Sequence, residues 1–201
     1  CTMCNIWKRE KDFELTAEQF QDILTNPLFK KVKHVGVTGG EPTLREDLVN
    51  IYASLIEALP NLKGLSIITN SIKHEAVVEQ VLKVNALCKS KGVAFSAMVS
   101  LDGYGDMHDR IRGIPGNFKS AIKTINRLKE EGIPVSVGCT ISKENIWNAE
   151  ELFSFLRENN IYGRFRVAEY IERLYNSDRS ETIRNFDEDE LYQLQLFFKK
   201  L

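Results

Sequence analysis

Apolar residues along the chain alternate between two rhythms. Compact runs at residues 35–38, 65–69, 95–101, 135–141 and 162–167 have the β-branched and aliphatic content of buried parallel strands. Between them, apolar residues recur every three or four positions and mark one face of a helix. Thr16 followed by Gln19 has capping-box spacing and opens a short helix to about Leu24, which Asn26-Pro27 closes. Leu44, Leu48, Ile51, Tyr52, Leu55, Ile56 and Leu59 form the face of a second helix that stops at Pro60-Asn61. A third runs from His74 to Lys91, with Val77, Val81, Val84 and Cys88 on its apolar side and Gly92 placed to cap it. Residues 117–131 carry Phe118, Ala121, Ile122, Ile125 and Leu128, and Gly132 and Pro134 end that helix. Asn148 with Glu151 caps a helix to about Glu158, and Asp187 with Glu190 opens a last one to Leu201. Residues 169–186 are polar and without period, which predicts a loop available to fold over a ligand.

Strands alternating with helices of this length imply βαβ units, a parallel sheet and ligands gathered where strands end in loops. A chain of 201 residues with 43% hydrophobic content can bury a core of one domain, residues 1–201. Its 27 basic and 28 acidic residues nearly cancel, so no global field draws nucleic acid or an anionic membrane. No apolar run reaches the roughly 18 residues of a membrane span and no charged-then-apolar leader appears, so the chain reads as cytoplasmic.

Composition turns to chemistry at the cysteines. Cys1 and Cys4 form a CxxC pair, which without secretion signals points to metal or redox chemistry rather than a disulfide. By themselves they fit half of a zinc knuckle or a redox pair as well as an iron–sulfur site. Cys88 on a helix face and Cys139 in a strand read as small buried thiols. His34, His74 and His108 have no metal-like partners at fixed spacing and are assigned no site. Trp7 and Trp147 read as packing residues, and the charged run at residues 8–12 as a solvated loop. Arg112 stands three residues after Asp109, the spacing of a helix-surface charge pair.

Several motifs then fall in one order. Cys1-Thr2-Met3-Cys4 is followed by Thr38-Gly39-Gly40-Glu41-Pro42 after one strand and Thr69-Asn70 after the next. Ser100-Leu101-Asp102-Gly103 then continues through His108-Asp109 to Arg112-Gly113. Together these resemble the radical S-adenosylmethionine (SAM) family, whose cluster motif is CxxxCxxC followed by GGEP. The resemblance covers nearly the whole chain and leans to the branch that holds molybdenum-cofactor cyclases and SPASM-type peptide-modifying enzymes. It implies an open (βα)6 partial TIM-type barrel with its first strand before Cys1, and a first cluster cysteine four residues before Cys1.

The resemblance also implies the chemistry. Cys1 and Cys4 would help hold a [4Fe-4S] cluster, in which three thiolates leave one iron open for SAM. An electron from a donor such as flavodoxin or ferredoxin would then cleave SAM to a 5'-deoxyadenosyl radical that takes hydrogen from a substrate the sequence does not identify. Gly39 and Gly40 would let backbone approach the methionyl amino end, Glu41 would accept from its ammonium and Pro42 would stiffen the turn. Ser100 and Asp102 would meet the ribose hydroxyls, and Arg112 the methionine carboxylate. Met3 would pack on adenine in place of the family's usual aromatic ring, with Val167 lining the same pocket and Thr69, Asn70 and Asn145 at neighbouring loop ends. Two other readings stay open on the residues alone: a zinc or electron-transfer CxxC module, and an aldolase-like barrel with a Schiff-base lysine.

Overall fold

A computed structural model describes residues 1–4, 6, 14–169 and 180–201. Trp7, the whole charged run at 8–12 and most of the polar stretch at 169–186 lie outside the described residues. Strands β1 (His34–Val37), β2 (Gly64–Thr69), β3 (Ala94–Ser100), β4 (Val135–Ile141) and β5 (Tyr162–Val167) follow chain order in one open parallel sheet. Their bounds match the apolar runs to within one residue. Eight α-helices lie among the described residues: α1 (Ala17–Leu24), α2 (Leu48–Ala58), α3 (His74–Ser90), α4 (Asp106–Arg112), α5 (Asn117–Glu130), α6 (Ala149–Glu158), α7 (Ser180–Ile183) and α8 (Glu188–Lys200). None is long and apolar enough to cross a membrane.

The chain divides into two compact units. The first comprises residues 10–99 and 123–135. Here β1 pairs with β2 and β2 with β3, in the register Val35 to Leu65 to Phe95. Alternate strand residues and the helix faces close over one core of Ile51, Tyr52, Leu55, Leu65, Ile67, Val77, Val81, Val84, Phe95 and Leu128. Each fully buried aliphatic side chain there contributes about 1.5–3 kcal/mol. The Tyr52 hydroxyl donates to Ser66 O at 3.0 Å, and its ring meets the edge of Phe95 at 6.0 Å. Helix α1 starts as its sequence predicts: Thr16 Oγ1 accepts from Gln19 N at 3.3 Å while Gln19 Oε1 accepts from Thr16 N at 2.9 Å. The Ser54 hydroxyl then ties α1 to α2 through Ala17 O at 2.8 Å. At Gly64 a side chain would strike the His34 ring at 2.8 Å, so the first residue of β2 must be small.

The second unit comprises residues 1–9, 100–122 and 136–201. Strand β4 pairs with β5, with Cys139 opposite Phe165. Ile111, Ile141, Ile146, Leu152 and Phe197 are fully buried. Phe197 meets the ring edges of Phe153 and Phe165 at 6.2 and 5.0 Å. The Asp187–Glu190 capping box forms as its spacing predicts, with both reciprocal bonds at 2.8 and 2.9 Å.

Several expectations fail for local reasons. Leu44 is not on the α2 face: it belongs to a 3-10 turn, Pro42–Leu44, and is 62% exposed. Asn148 makes no side-chain cap, because a 3-10 turn at Ile146–Asn148 runs straight into α6. Ser180–Ile183, expected as loop, is helical. Trp147 is 57% exposed rather than packed. Helix α4 was invisible to periodicity because its seven residues present only His108 and Ile111 to the interior. Cys88 and Cys139 are buried as expected, and burial raises the Cys88 thiol to about 11.

Candidate functional site

In the first unit, the turns after β1 and β2 are joined by a single carboxylate. Glu41 Oε1 accepts from the Thr43 amide at 3.2 Å and from the Thr43 hydroxyl at 2.7 Å. Its Oε2 accepts from the Asn70 amide at 2.7 Å, and the Thr69 hydroxyl lies 3.0 Å from both oxygens. Thr69 in turn accepts from Ser71 N at 3.0 Å, and Asn70 Nδ2 donates to Gly40 O at 3.2 Å. The side chains of Glu41, Thr69 and Asn70, expected as separate ligand contacts, therefore form one brace. Among the described residues every donor to Glu41 is neutral, so they orient the carboxylate without a counter-charge. Pro42 is buried at the start of the 3-10 turn. A Cβ added at Gly39 or Gly40 would meet nothing within 4 Å, so open space flanks that backbone.

The second unit holds a different constellation. Ser100 ends β3, half-buried, and Asp102 follows with 2% exposure. Arg112 Nη2 lies 2.6 Å from Asp102 Oδ2, while Thr140 N donates to Oδ1 at 3.0 Å. The backbone of Asp102 is gripped as well. Its amide donates to His108 Nδ1 at 3.0 Å, and its carbonyl accepts from Asn145 Nδ2 at 2.7 Å. His108 Nε2 lies 3.0 Å from Asn117 Oδ1. Because Nδ1 accepts, the proton of the neutral ring sits on Nε2 and donates to Asn117. Burial first, and Arg112 nearby, push the His108 pKa down to about 4 against the pull of Asp102, so the ring is neutral near pH 7.

Arg112 pairs with Asp102, although its spacing to Asp109 also fits a helix-surface charge pair. The Asp109 carboxylate instead accepts from Gly116 N and Phe118 N at 2.5 and 2.7 Å, closing the turn between α4 and α5. The Arg112–Asp102 contact is an ion pair without hydrogen-bond geometry. Asp102 Oδ2 and Arg112 Nε have no hydrogen-bond partner among the described residues. Buried polar atoms are nearly always satisfied, so an unmet acceptor and an unmet donor on one ion pair are unusual.

Cys1, Met3 and Cys4 lie half-buried on a short loop of this unit, and neither cysteine forms a disulfide. Thr2 between them donates its amide to Ile111 O at 2.8 Å and its hydroxyl to Glu144 Oε2 at 3.0 Å. Gly113, at φ +69°, ends α4 beside the loop: an added Cβ would stand 3.9 Å from Cys1 N. Among the described residues no three His, Cys, Asp or Glu side chains cluster as a metal site. Asn145 is buried and works as a brace, since its Nδ2 also donates to Thr140 O at 2.9 Å and its Oδ1 accepts from Ser142 N at 2.7 Å. Val167 ends β5 half-buried. Thr43, His108, Asn117 and Glu144 were not singled out as functional from sequence. Their roles depend on contacts across the fold, and no local pattern marks them.

Comparison with known proteins gives a family. A model of the Radical SAM superfamily matches residues 1–156. The Fe-coproporphyrin III synthase of Methanosarcina barkeri is 28% identical over 163 residues, covering 80% of this chain and 38% of that protein. The sporulation killing factor maturation protein SkfB of Bacillus subtilis is 29% identical over 136 residues, covering 66% and 30%. A GTP 3',8-cyclase of Listeria monocytogenes is 32% identical over 130 residues, covering 63% and 35%. The chain thus spans well under half the length of these relatives. A solved structure of anSMEcpe with bound AdoMet superposes with a TM-score of 0.61 at 16% identity, over 83% of this chain and 48% of that one, which supports the fold alone.

Proposed function

The chain belongs to the radical SAM superfamily, and from that premise we propose that residues 1–201 act as the catalytic core of an enzyme that binds a [4Fe-4S] cluster and SAM. The family uses both groups. Cys1 and Cys4 would hold the cluster together with a thiolate from outside the described residues. The donor set fits, since thiolates are the usual ligands of such clusters and both side chains sit on one anchored loop. When bound and reduced, the cluster supplies the electron that cleaves SAM.

The chain's own residues bind and orient. The open backbone at Gly39 and Gly40, stiffened by Pro42, would receive the methionyl amino end, and the uncancelled charge of Glu41 attracts an ammonium while Thr69 and Asn70 keep that carboxylate in place. Asp102, with Ser100, would take the ribose. Asp102 Oδ2 and Arg112 Nε are fully buried here, so a ribose hydroxyl would reach them only as the pair opens, accepting from Nε and donating to the carboxylate. Arg112 keeps donors beyond Nη2 for the methionine carboxylate. Asn145 fixes the Asp102 carbonyl, and Met3 and Val167 would pack on adenine.

The observation that carries this reading is the buried Asp102–Arg112 pair, whose contact at 2.6 Å leaves Arg112 Nε without a hydrogen-bond partner among the described residues. The substrate would be a cofactor precursor, a peptide or another metabolite; relatives are named for Fe-coproporphyrin III synthesis and GTP cyclisation, and one solved structure of anSMEcpe holds a peptide beside AdoMet. A flavodoxin or ferredoxin would supply the electron, and a cytoplasmic location suits such a donor. The test is to reconstitute the full-length protein with iron and sulfide without oxygen and to record its electron paramagnetic resonance with and without SAM. A reduced-cluster signal that shifts on SAM addition is expected. A cluster signal indifferent to SAM, or no cluster, overturns the reading.

A further inference from the structure

We propose that Glu144 is a positioning residue for the cysteine loop, acting as the hydrogen-bond acceptor for the Thr2 hydroxyl. The inference rests on the cluster reading above. Three consecutive residues after β4 each reach a different element. Lys143 donates its amide to Ile183 O at 3.0 Å and its ammonium to Asn185 O at 2.7 Å, and lies 3.1 Å from Glu190. Asn145 is buried and grips Asp102 O and Thr140 O. Glu144 stands between these anchors, so its backbone is held from both sides, and its exposed side chain reaches from there to the Thr2 hydroxyl.

The partner of that carboxylate lies between the two cysteines. Thr2 follows Cys1 directly and precedes Cys4 by two residues. Its amide is fixed to Ile111 O at 2.8 Å and its hydroxyl to Glu144 at 3.0 Å. The two bonds close a circuit: Thr2 to Glu144, Glu144 through the chain to Asn145, Asn145 to Asp102, Asp102 to Arg112, and Arg112 through the chain to Ile111 and back to Thr2. The loop that would carry the cluster thiolates is thereby registered to the ion pair that would carry the cosubstrate. Glu144 touches neither group and acts only through Thr2.

Loss of cluster from the full-length protein, reconstituted without oxygen and challenged with an iron chelator in the absence of SAM, tests the inference by bleaching of cluster absorbance. Thr2→Val and Glu144→Ala should each bleach roughly fivefold faster, the size of one lost hydrogen bond. The double variant should be no faster than either single one. Thr2→Ser and Glu144→Gln, which keep a hydroxyl donor and a carbonyl acceptor, should bleach at the wild-type rate. Wild-type rates in Thr2→Val and Glu144→Ala, or fully additive effects in the double variant, overturn the proposal. A wild-type protein that takes up no cluster overturns instead the cluster reading on which it rests.

Discussion

Two strand-end carboxylates of this chain are held in opposite ways. Among the described residues, Glu41 receives only neutral donors, from Thr43, Thr69 and the Asn70 amide. Asp102, 2% exposed, has its charge cancelled by Arg112 and its backbone clamped by His108 and Asn145. An oriented but uncompensated carboxylate suits a cation. A neutralised pair with hydrogen-bonding capacity to spare suits a neutral polar group. Under the proposed function, Glu41 would meet the ammonium of SAM, and Asp102 with Arg112 its ribose and carboxylate, although Glu41 and Asp102 both follow strands and look alike in sequence.

The largest expected effect breaks the Asp102 side. Arg112→Ala leaves a buried carboxylate without its counter-ion, which costs about 3–5 kcal/mol. For a chain of this size that lowers the thermal midpoint by roughly 6 °C or more. Calorimetry should find Glu41→Ala less damaging to the fold, and equal losses would erase the comparison.

Acid sharpens the same contrast. The folded-state pKa of His108 is depressed to about 4 from an ordinary 6.5, so the unfolded chain binds its proton first as pH falls. The stability His108 contributes is present above about pH 6.5 and drains as pH falls toward 4, by on the order of 3 kcal/mol. Denaturant melts across this window should steepen for wild type and flatten for His108→Gln. An unchanged profile in the variant would remove His108 from the account.

The Glu41 side is expected to show itself in binding. Glu41→Gln removes the charge and should weaken SAM binding about tenfold or more in equilibrium dialysis, the worth of a charge-assisted hydrogen bond. Affinity within twofold of wild type would mean that Glu41 only braces the turns. The smallest effect is local: Thr69→Val should cost about 1 kcal/mol and speed amide exchange at Asn70, whose N–H shares the same carboxylate. Unaltered exchange there would separate Thr69 from the brace.

The fold was legible where local rules act alone. Strand runs such as 135–141 and 162–167, and the boxes Thr16–Gln19 and Asp187–Glu190, need only neighbours in sequence. Asn148 with Glu151 has the same spacing and forms no cap, because the preceding 3-10 turn carries the chain directly into α6. Helix α4 escaped because two inward residues in seven make no period. The candidate site was legible only as a set of strand ends and motifs, and the family they resemble is the one whose model matches residues 1–156. Its wiring was not. The Arg112 partner is Asp102 across a short unforeseen helix rather than Asp109 on its own turn, and Thr69 meets Glu41 only because β1 and β2 are parallel neighbours. The aldolase and zinc-module alternatives, open on residues alone, yield to membership of the superfamily.

The release of 5'-deoxyadenosine tests the central claim most directly. It is measured with the full-length protein, reconstituted without oxygen, reduced with dithionite and given SAM. The account predicts release by the wild type and its loss in Cys4→Ala. A protein that carries its cluster yet releases none, or a Cys4→Ala variant that releases as much as wild type, would contradict it.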